Sequence, residues 1–320
     1  MNFILPHEFA TAVTFLCFSR TITAETADNA EIFIDTDFSR ASNRRVVPFS
    51  MEAVYTPKFA MDIETSDPDY RSISKSDLSY HIVHPDRAQL SVDDVNQLRS
   101  EGKIVLAYLS VGEAEVWLDY WREDWIPGVI PLFLERVNDR FRDRYKIRFW
   151  MEEWQEILLN YMENHILRKG YSGLYLDAVD VYTHFLAEGN RPAAADDMIQ
   201  LVGRIRRWGQ SLNSDLLVFV NNAVELYGNA DYVSMVDGLV AQDTWYRDNI
   251  PLRNVDAEHT DTVVRFLRSA RNDGKPVLAV DYPTETEKIC DFYVKCSTEA
   301  FRCAVFAKGF PGAVITPLTC

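Results

Sequence analysis

From residue 59 to the C-terminus, short apolar runs alternate with longer amphipathic segments, and this alternation constrains the chain more than any other feature. It is what repeated strand–helix units produce: each strand is covered on both faces, and each helix buries a single stripe. Eight runs read as strands: Phe59–Ile63, Ser79–His84, Ile104–Leu109, Gly173–Leu176, Leu216–Val220, Gly238–Ala241, Val277–Val280 and Gly312–Ile315. The intervening segments carry helix signals. Ser91 stands before VDDVNQLRSEG, which stops at Gly102, and WQEILLNYMENHILRKG stops at Gly170. AADDMIQLVGRIRRWGQSL is amphipathic, and Thr284 with Glu287 reads as a capping box before the helix that holds Cys290. Tyr145–Trp150 is β-like as well, and is read as part of a long loop over the mouth. Parallel barrels run past about 250 residues as one unit. The expectation is therefore an α/β chain with a single (β/α)8 barrel over residues 59–320 and an N-terminal extension.

Residues 25–50 are polar and lack sustained periodicity, so residues 25–58 read as a linker or strap. Before them, residues 9–18 (FATAVTFLCF) form an apolar run too short to span a bilayer, and small residues follow it at Thr21–Ala24. Residues 1–24 are read as a signal peptide that lacks a basic leading region, and the mature protein as periplasmic or secreted, without stable membrane insertion. Cys290, Cys296, Cys303 and Cys320 form an even set near the C-terminus, open to two disulfides or to buried thiols. On one uninterrupted helix, seven residues rise about 10 Å. That exceeds the roughly 7 Å reach of a bridge and disfavours Cys296 with Cys303. A helix break, or a bridge back from Cys320, would lift the constraint.

In such a barrel the C-terminal strand ends converge on one mouth, so polar residues there are the functional candidates. The third strand runs into Tyr108-Leu109-Ser110-Val111-Gly112-Glu113-Ala114-Glu115, with two carboxylates just past a glycine. The fourth is GLYLDAVDVY, in which Asp177 directly follows an apolar strand. An unpaired charge is costly there, so an acid at that place calls for a purpose. Asp180 and Tyr182 follow within about a turn and a half. The fifth strand ends in Asn221-Asn222, the sixth in Gln242-Asp243-Thr244-Trp245-Tyr246, and the seventh in Asp281-Tyr282. Carboxylates suit acid–base chemistry, amides suit sugar hydroxyls, and aromatic faces suit sugar rings, so the set points to a carbohydrate site.

The formal charge of −15 and the lack of a basic stripe argue against nucleic acid. Histidines and cysteines show no ligand spacing for a metal, and GxSxG elbows, phosphate loops and nucleotide fingerprints are missing from the sequence, so neither metal nor cofactor is expected. A phosphate-handling metabolite barrel would need a glycine-rich loop late in the chain, and Val277–Pro283 has none.

Taken together, YLSVGEAEVWLDYW, RFWMEEWQ, GYSGLYLDAVDVY, DGLVAQDTWY and VLAVDY resemble the barrel of glycoside hydrolase family 114, the endo-α-1,4-polygalactosaminidases and their relatives, over residues 59–319. The resemblance implies a hydrolase of a galactosamine-containing polysaccharide, with Asp177 and Asp243 as the catalytic carboxylates. It places Tyr108, Ser110, Glu113, Asp180, Asn222, Asp281 and Tyr282 around the sugar; Glu115, Tyr182, Asn221, Trp245 and Tyr246 join them as strand-end candidates. The family usually has Glu where this chain has Asp243, Asp where it has His84, and Gln where it has Asn221. These departures leave a second reading open, a carbohydrate-binding barrel that has lost turnover. Retaining and inverting mechanisms differ by carboxylate separation, about 5–5.5 Å against about 6.5–9.5 Å, and remain alternatives at this point.

Overall fold

A computed structural model describes residues 57–64, 68–306 and Cys320, and the course of strands Val13–Cys17, Arg20–Ala24, Val54–Tyr55, Arg302–Ala307, Phe310–Val314 and Leu318–Thr319. Residues 1–53 and 54–320 form two units. In the first, Val13–Cys17 pairs antiparallel with Arg20–Ala24; the rest of the leader and the segment read as a linker up to residue 53 lie outside the described residues.

The second unit is the barrel. Its strands are β1 (Phe59–Asp62), β2 (Tyr80–Val83), β3 (Ile104–Ser110), β4 (Gly173–Asp177), β5 (Leu217–Asn221), β6 (Gly238–Gln242), β7 (Val277–Asp281) and β8 (Arg302–Ala307). Each pairs parallel with the next. Lys58 N–H donates to Cys303 O at 2.9 Å and draws the two ends of the sheet together. Helices α1 (Tyr70–Lys75), α2 (Val92–Ser100), α3 (Glu152–Tyr161), α4 (Tyr182–Ala187), α5 (Ala194–Leu212), α6 (Ala230–Met235), α7 (Ala257–Asn272) and α8 (Thr286–Glu299) alternate with the strands.

Strand alternation sorts the side chains. Phe59 and Met61, Ile82, Leu106 and Tyr108, Tyr175, Phe219, Val240, Val280 and Phe306 fill the barrel interior in one buried cluster. The residues between them, such as Val83, Ala107, Leu176 and Val220, pack outward against the helices in a second cluster. Full burial of each large apolar side chain contributes about 1.5–3 kcal/mol. Continuing the inward parity one step past the last packed layer gives His84, Ser110, Asp177, Asn221, Gln242 and Tyr282, the residues at the mouth.

Seven of the eight expected strands lie where the periodicity puts them, with ends shifted by a residue. The eighth does not. The parallel strand is Arg302–Ala307, whereas Phe310–Val314 folds back antiparallel on it. The helix before it ends at Glu299, with Ala300 left-handed at φ 54°, so Cys303 sits on β8 and not on α8. This break lets Cys296 and Cys303 bridge at a Cα separation of 6.1 Å, the pairing that an unbroken helix would forbid. Cys320 bridges back to Cys290 at 5.6 Å.

Two further expectations change. Arg144–Ile147 is a strand rather than loop; it pairs antiparallel with Glu113–Glu115 and with Leu134–Val137 in a small sheet between β3 and β4. Thr284 forms no capping box. The Asn249 side chain meets the Thr284 hydroxyl at 2.8 Å and accepts from the Thr284 and Glu285 amides at 2.9 and 3.1 Å, and so serves the start of α8 from another loop. Ser91 does cap α2, reciprocally with Asp94, and Gly102 and Gly170 are left-handed where those helical segments stop.

Candidate active site

A cleft of about 1060 Å³ opens at the C-terminal ends of the strands. Glu113, Asp177, Asp180, Asn221, Asn222, Asp243 and Tyr282, all singled out in the sequence, line it. Asp177 ends β4 and accepts from Asn221 Nδ2 at 2.8 Å, so the amide ending β5 fixes one carboxylate oxygen. The chain then turns through Ala178, left-handed at φ 56°, into a short 3₁₀ turn, Val179–Val181, that carries Asp180. One strand on, Ala223 is left-handed at φ 48° and starts the 3₁₀ turn Val224–Gly228, which carries Glu225. Ala-Val-Asp and Ala-Val-Glu thus repeat at adjacent strand ends, each putting a carboxylate two residues past the turn.

Gly112 makes this close packing feasible. A Cβ there would lie 2.2 Å from Ala178 O and 2.3 Å from a Val181 methyl. Val111 N–H donates to Asp177 O at 3.0 Å, tying the β3 exit to the β4 exit.

Burial in the cleft pushes the Asp180 carboxyl up to about 6, and the charges of Asp177 and Glu225 push the same way. Asp180 keeps an exposed surface within the cleft. Glu113 is likewise raised by burial, against the pull of Asn138 Nδ2, which donates to it at 2.6 Å. Asp177, Asp180 and Glu225 have no ion-pair partner within 4 Å among the described residues and form an acidic pole. The small sheet and the loop between its strands bring Arg140, Arg144 and Lys146 to the same cleft.

The β6 exit differs from its sequence reading. Gln242 is the inward residue; its amide donates to the Tyr175 hydroxyl at 3.1 Å and accepts from the Tyr282 hydroxyl at 2.9 Å. Asp243 follows in a left-handed conformation at φ 52°, and its Oδ2 lies 3.4 Å from Arg247 Nε. The cleft therefore has a carboxylate at the end of β4 and an amide in the matching inward position of β6, with Asp243 beside it on the rim.

The remaining candidates lie off the cleft. Tyr108, Ser110 and Glu115 are buried beneath it. Ser110 Oγ donates to Glu113 O at 2.9 Å and shapes the turn. Tyr182 is core. Trp245 packs on Phe292 and Phe301, and the Tyr246 hydroxyl bonds to Asp291, so neither ring lines the cleft; Phe141 and Tyr282 do. Asp281 is fully buried, and its oxygens accept the backbone amides of Thr244, Trp245 and Tyr246 at 2.7, 2.9 and 2.8 Å. Burial pushes its carboxyl up while the three amides pull it down. Asp281 holds the β6 loop and touches nothing in the cleft.

Glu225, Arg144 and Lys146 were not among the sequence candidates, and Gln242 was named at its strand end without a role of its own. Inward parity alone marks Gln242, and the repeated Ala-Val-acid turn marks Glu225. Arg144 and Lys146 come from the small sheet, whose place over the mouth no local pattern announces. Among the described residues no group of three or more potential ligands is arranged to hold a metal ion, and no helix is long and apolar enough to cross a membrane.

Comparison with known proteins agrees with this architecture. The chain is 25% identical over 241 residues to MJ1477, an uncharacterized protein of Methanocaldococcus jannaschii, spanning 72% of this chain and 68% of that one. The glycoside hydrolase domain of PelA from Pseudomonas aeruginosa superposes with a TM-score of 0.61 at 17% identity, covering 82% of this chain and 99% of the domain. Ega3 of Aspergillus fumigatus, solved in complex with galactosamine, gives a TM-score of 0.61 at 14% identity over 84% of this chain and 97% of its own. The sequence profile of glycoside hydrolase family GH114 matches residues 50–309, and the chain belongs to that family.

Proposed function

We propose that the cleft binds and hydrolyses a polysaccharide containing cationic amino sugars, with Asp177 as the reacting carboxylate best supported by its surroundings. The observation that carries this reading is the acidic pole: Asp177, Asp180 and Glu225 line one cleft and, among the described residues, none of them has an ion-pair partner within 4 Å, an arrangement that suits a protonated sugar amine. Asp177 is also fixed by Asn221 at 2.8 Å, as a group that must meet an anomeric carbon in one geometry should be. Galactosamine bound to Ega3 and the family match support an amino sugar as the unit recognised. The leader-like N-terminus and the paired cysteines support action outside the cytoplasm.

Hydrolysis needs a second carboxylate on the far side of the scissile bond. Asp243 is the candidate on the β6 side, reached by a rotation that releases Arg247.

A carbohydrate-binding barrel without turnover is the second reading, and the amide of Gln242 at the inward position of β6 favours it. Partially deacetylated galactosaminogalactan separates the two. Release of reducing ends that Asp177→Asn abolishes, with its Tm within a few degrees of the parent, supports hydrolysis. Binding by the parent without any reducing ends supports the second reading, and full activity in Asp177→Asn overturns the role given to that residue.

A further inference from the structure

Among the described residues, Phe141 is the large apolar side chain that is both exposed, at 41%, and part of the cleft lining. It stands in the loop 138–143, which joins the strands Leu134–Val137 and Arg144–Ile147 of the small sheet. Asn138 organises this loop. Its Oδ1 accepts the Arg140 and Phe141 backbone amides at 2.7 and 3.1 Å, and its Nδ2 donates to Glu113 Oε1 at 2.6 Å, which ties the loop to the β3 exit. Asn138 N–H donates to Arg144 O at 2.7 Å, and Arg144 N–H donates to Phe141 O at 3.2 Å. The Arg144 guanidinium, held in turn by Glu64 at 2.6 Å and Glu115 at 3.2 Å, backs the ring with its carbon 4.8 Å from the ring centre. The ring is therefore fixed before a ligand arrives, and the apolar surface it leaves in water suits a partner that brings C–H groups to it.

A pyranose carries its hydroxyls around the rim and C–H groups on its faces. Where the C4 hydroxyl is axial, as in galactose and galactosamine, one face is a continuous C–H patch that lies flat on the negative face of an aromatic ring. The charges beside Phe141 restrict what such a unit carries. Arg140 is exposed, has no ion-pair partner within 4 Å among the described residues, and places its guanidinium carbon 5.4 Å from the ring centre. The loop's own acids, Asp139, which faces Lys146 at 3.5 Å, and Asp143, are outnumbered by Arg140, Arg142, Arg144 and Lys146. A protonated amine on a sugar stacked here meets like charge. The carboxylates that suit an amine, Asp177, Asp180 and Glu225, come from other elements, the exits of β4 and β5.

We propose that Phe141 is a stacking platform for an uncharged, galactose-configured unit of the polysaccharide, N-acetylated or without an amine, while the acidic pole takes the protonated amine of another unit in the same chain. The proposal rests on the reading of the cleft as a site for an amino-sugar polymer.

Calorimetric titration with α-1,4-linked galactosamine oligosaccharides, prepared N-acetylated, partially deacetylated and fully deacetylated, tests it. Phe141→Ala is expected to raise Kd for the partially deacetylated oligomer by about tenfold, and Phe141→Leu, which keeps an apolar group against Arg144 but has no aromatic face, to do the same. Phe141→Trp should stay within about threefold of the parent. All three should melt within a few degrees of it, because the side chain is exposed. On the fully deacetylated oligomer, which offers no uncharged unit, the alanine variant should lose less than about threefold. In turnover the loss falls on KM, with kcat within about threefold. Parent affinity in Phe141→Ala or in Phe141→Leu overturns the platform, and an equal loss on the partially and fully deacetylated oligomers overturns the uncharged unit. The acidic pole fails separately: a parent that binds the N-acetylated oligomer as tightly as the deacetylated ones, with the dependence on Phe141 intact, loses the amine reading and keeps this one. Binding of none of the three by the parent overturns both.

Discussion

Replacing Asp281 tests whether this buried acid is a scaffold for the β6 exit or part of the chemistry. In the parent, Oδ1 accepts the Thr244 amide and Oδ2 accepts those of Trp245 and Tyr246, all within 2.9 Å and all shielded from water. An asparagine can offer its one carbonyl oxygen to the Trp245 and Tyr246 pair, but its NH2 then meets the Thr244 N–H donor to donor. One buried amide is orphaned and the charge assistance on the other two is lost, for a cost of about 2–4 kcal/mol. Asp281→Ala strands all three amides, and about 3–6 kcal/mol is expected even where water enters to satisfy some of them. In a domain of this size that corresponds to a fall in Tm of about 5–10 °C for asparagine and more for alanine. Urea titration followed by tryptophan fluorescence gives the free energies, and limited proteolysis reports whether cleavage moves to residues 243–250. An asparagine variant within about 1 kcal/mol of the parent, with no new cleavage there, would refute the scaffold role and return Asp281 to the candidates for catalysis.

Gln242→Glu places a carboxylate at the inward end of β6, and reducing-end release is expected to rise in that variant if the amide limits turnover; Asp243→Glu should keep or raise activity and Asp243→Ala should remove it if Asp243 is the second acid, whereas an unchanged rate in the alanine variant excludes it. Asp180 has its pKa raised in the folded state from 3.8 to about 6, so its contribution is intact below pH 4 and is lost as pH rises through 6. Asp180→Asn removes that penalty. Its Tm should match the parent at pH 4 and exceed it at pH 7.5, by a margin worth about 1 kcal/mol after allowance for solvent screening, and a variant less stable at pH 7.5 contradicts the shift. Mass spectrometry of the protein prepared without reductant should find none of Cys290, Cys296, Cys303 and Cys320 alkylatable. Chain-entropy arguments give the Cys290–Cys320 bridge, spanning 30 residues, about 3–4 kcal/mol and the Cys296–Cys303 bridge, spanning 7, about 2–3 kcal/mol, so Cys290→Ser should lower the urea midpoint more than Cys303→Ser.

Much of the barrel is legible in the sequence because its strands are buried on both faces and read as apolar runs with polar residues directly behind them. That pattern locates Asp177, Asn221 and Tyr282, since each is the next inward position after a packed one. It fails at β8. Only Ala300 and Phe301 separate the strand from α8, and the helix stops on a left-handed alanine instead of the glycine that would have signalled an end. Trp245 and Tyr246 illustrate a second limit. A strand-end aromatic can turn to the mouth or to the outer helices, and the choice is made by Asp281, 35 residues or more away, which pins the loop by its backbone. Arg144 illustrates a third: it meets Glu64, Tyr108, Glu115 and the Phe141 ring, from separate segments of the chain, so no window of sequence announces its place at the cleft.

The exits of β4, β5 and β6 show how the scaffold carries a strained mouth. Ala178, Asn222, Ala223 and Asp243 all have φ between 48° and 56°, and none is glycine. Non-glycine residues in that region cost about 1–3 kcal/mol each and persist only where the surroundings over-determine them. Here the surroundings do so. Asn222 N–H and Asp243 N–H are tied to the neighbouring strands through Val240 O and Val280 O at 2.8 and 3.0 Å, and the Asn222 side-chain oxygen accepts the Gln242 backbone N–H at 2.9 Å. Glycine would relieve the strain but allow each turn several conformations, so Asp180 and Glu225, two residues beyond their turns, would no longer point at one place. Alanine keeps the turn single-valued with the smallest side chain that does so. An acidic pole of this kind is set before any substrate arrives, and the strain held in its turns is balanced by the ladders of the barrel beneath it, so the geometry that the proposed binding of a sugar amine requires is held in the backbone rather than in the choice of a rotamer.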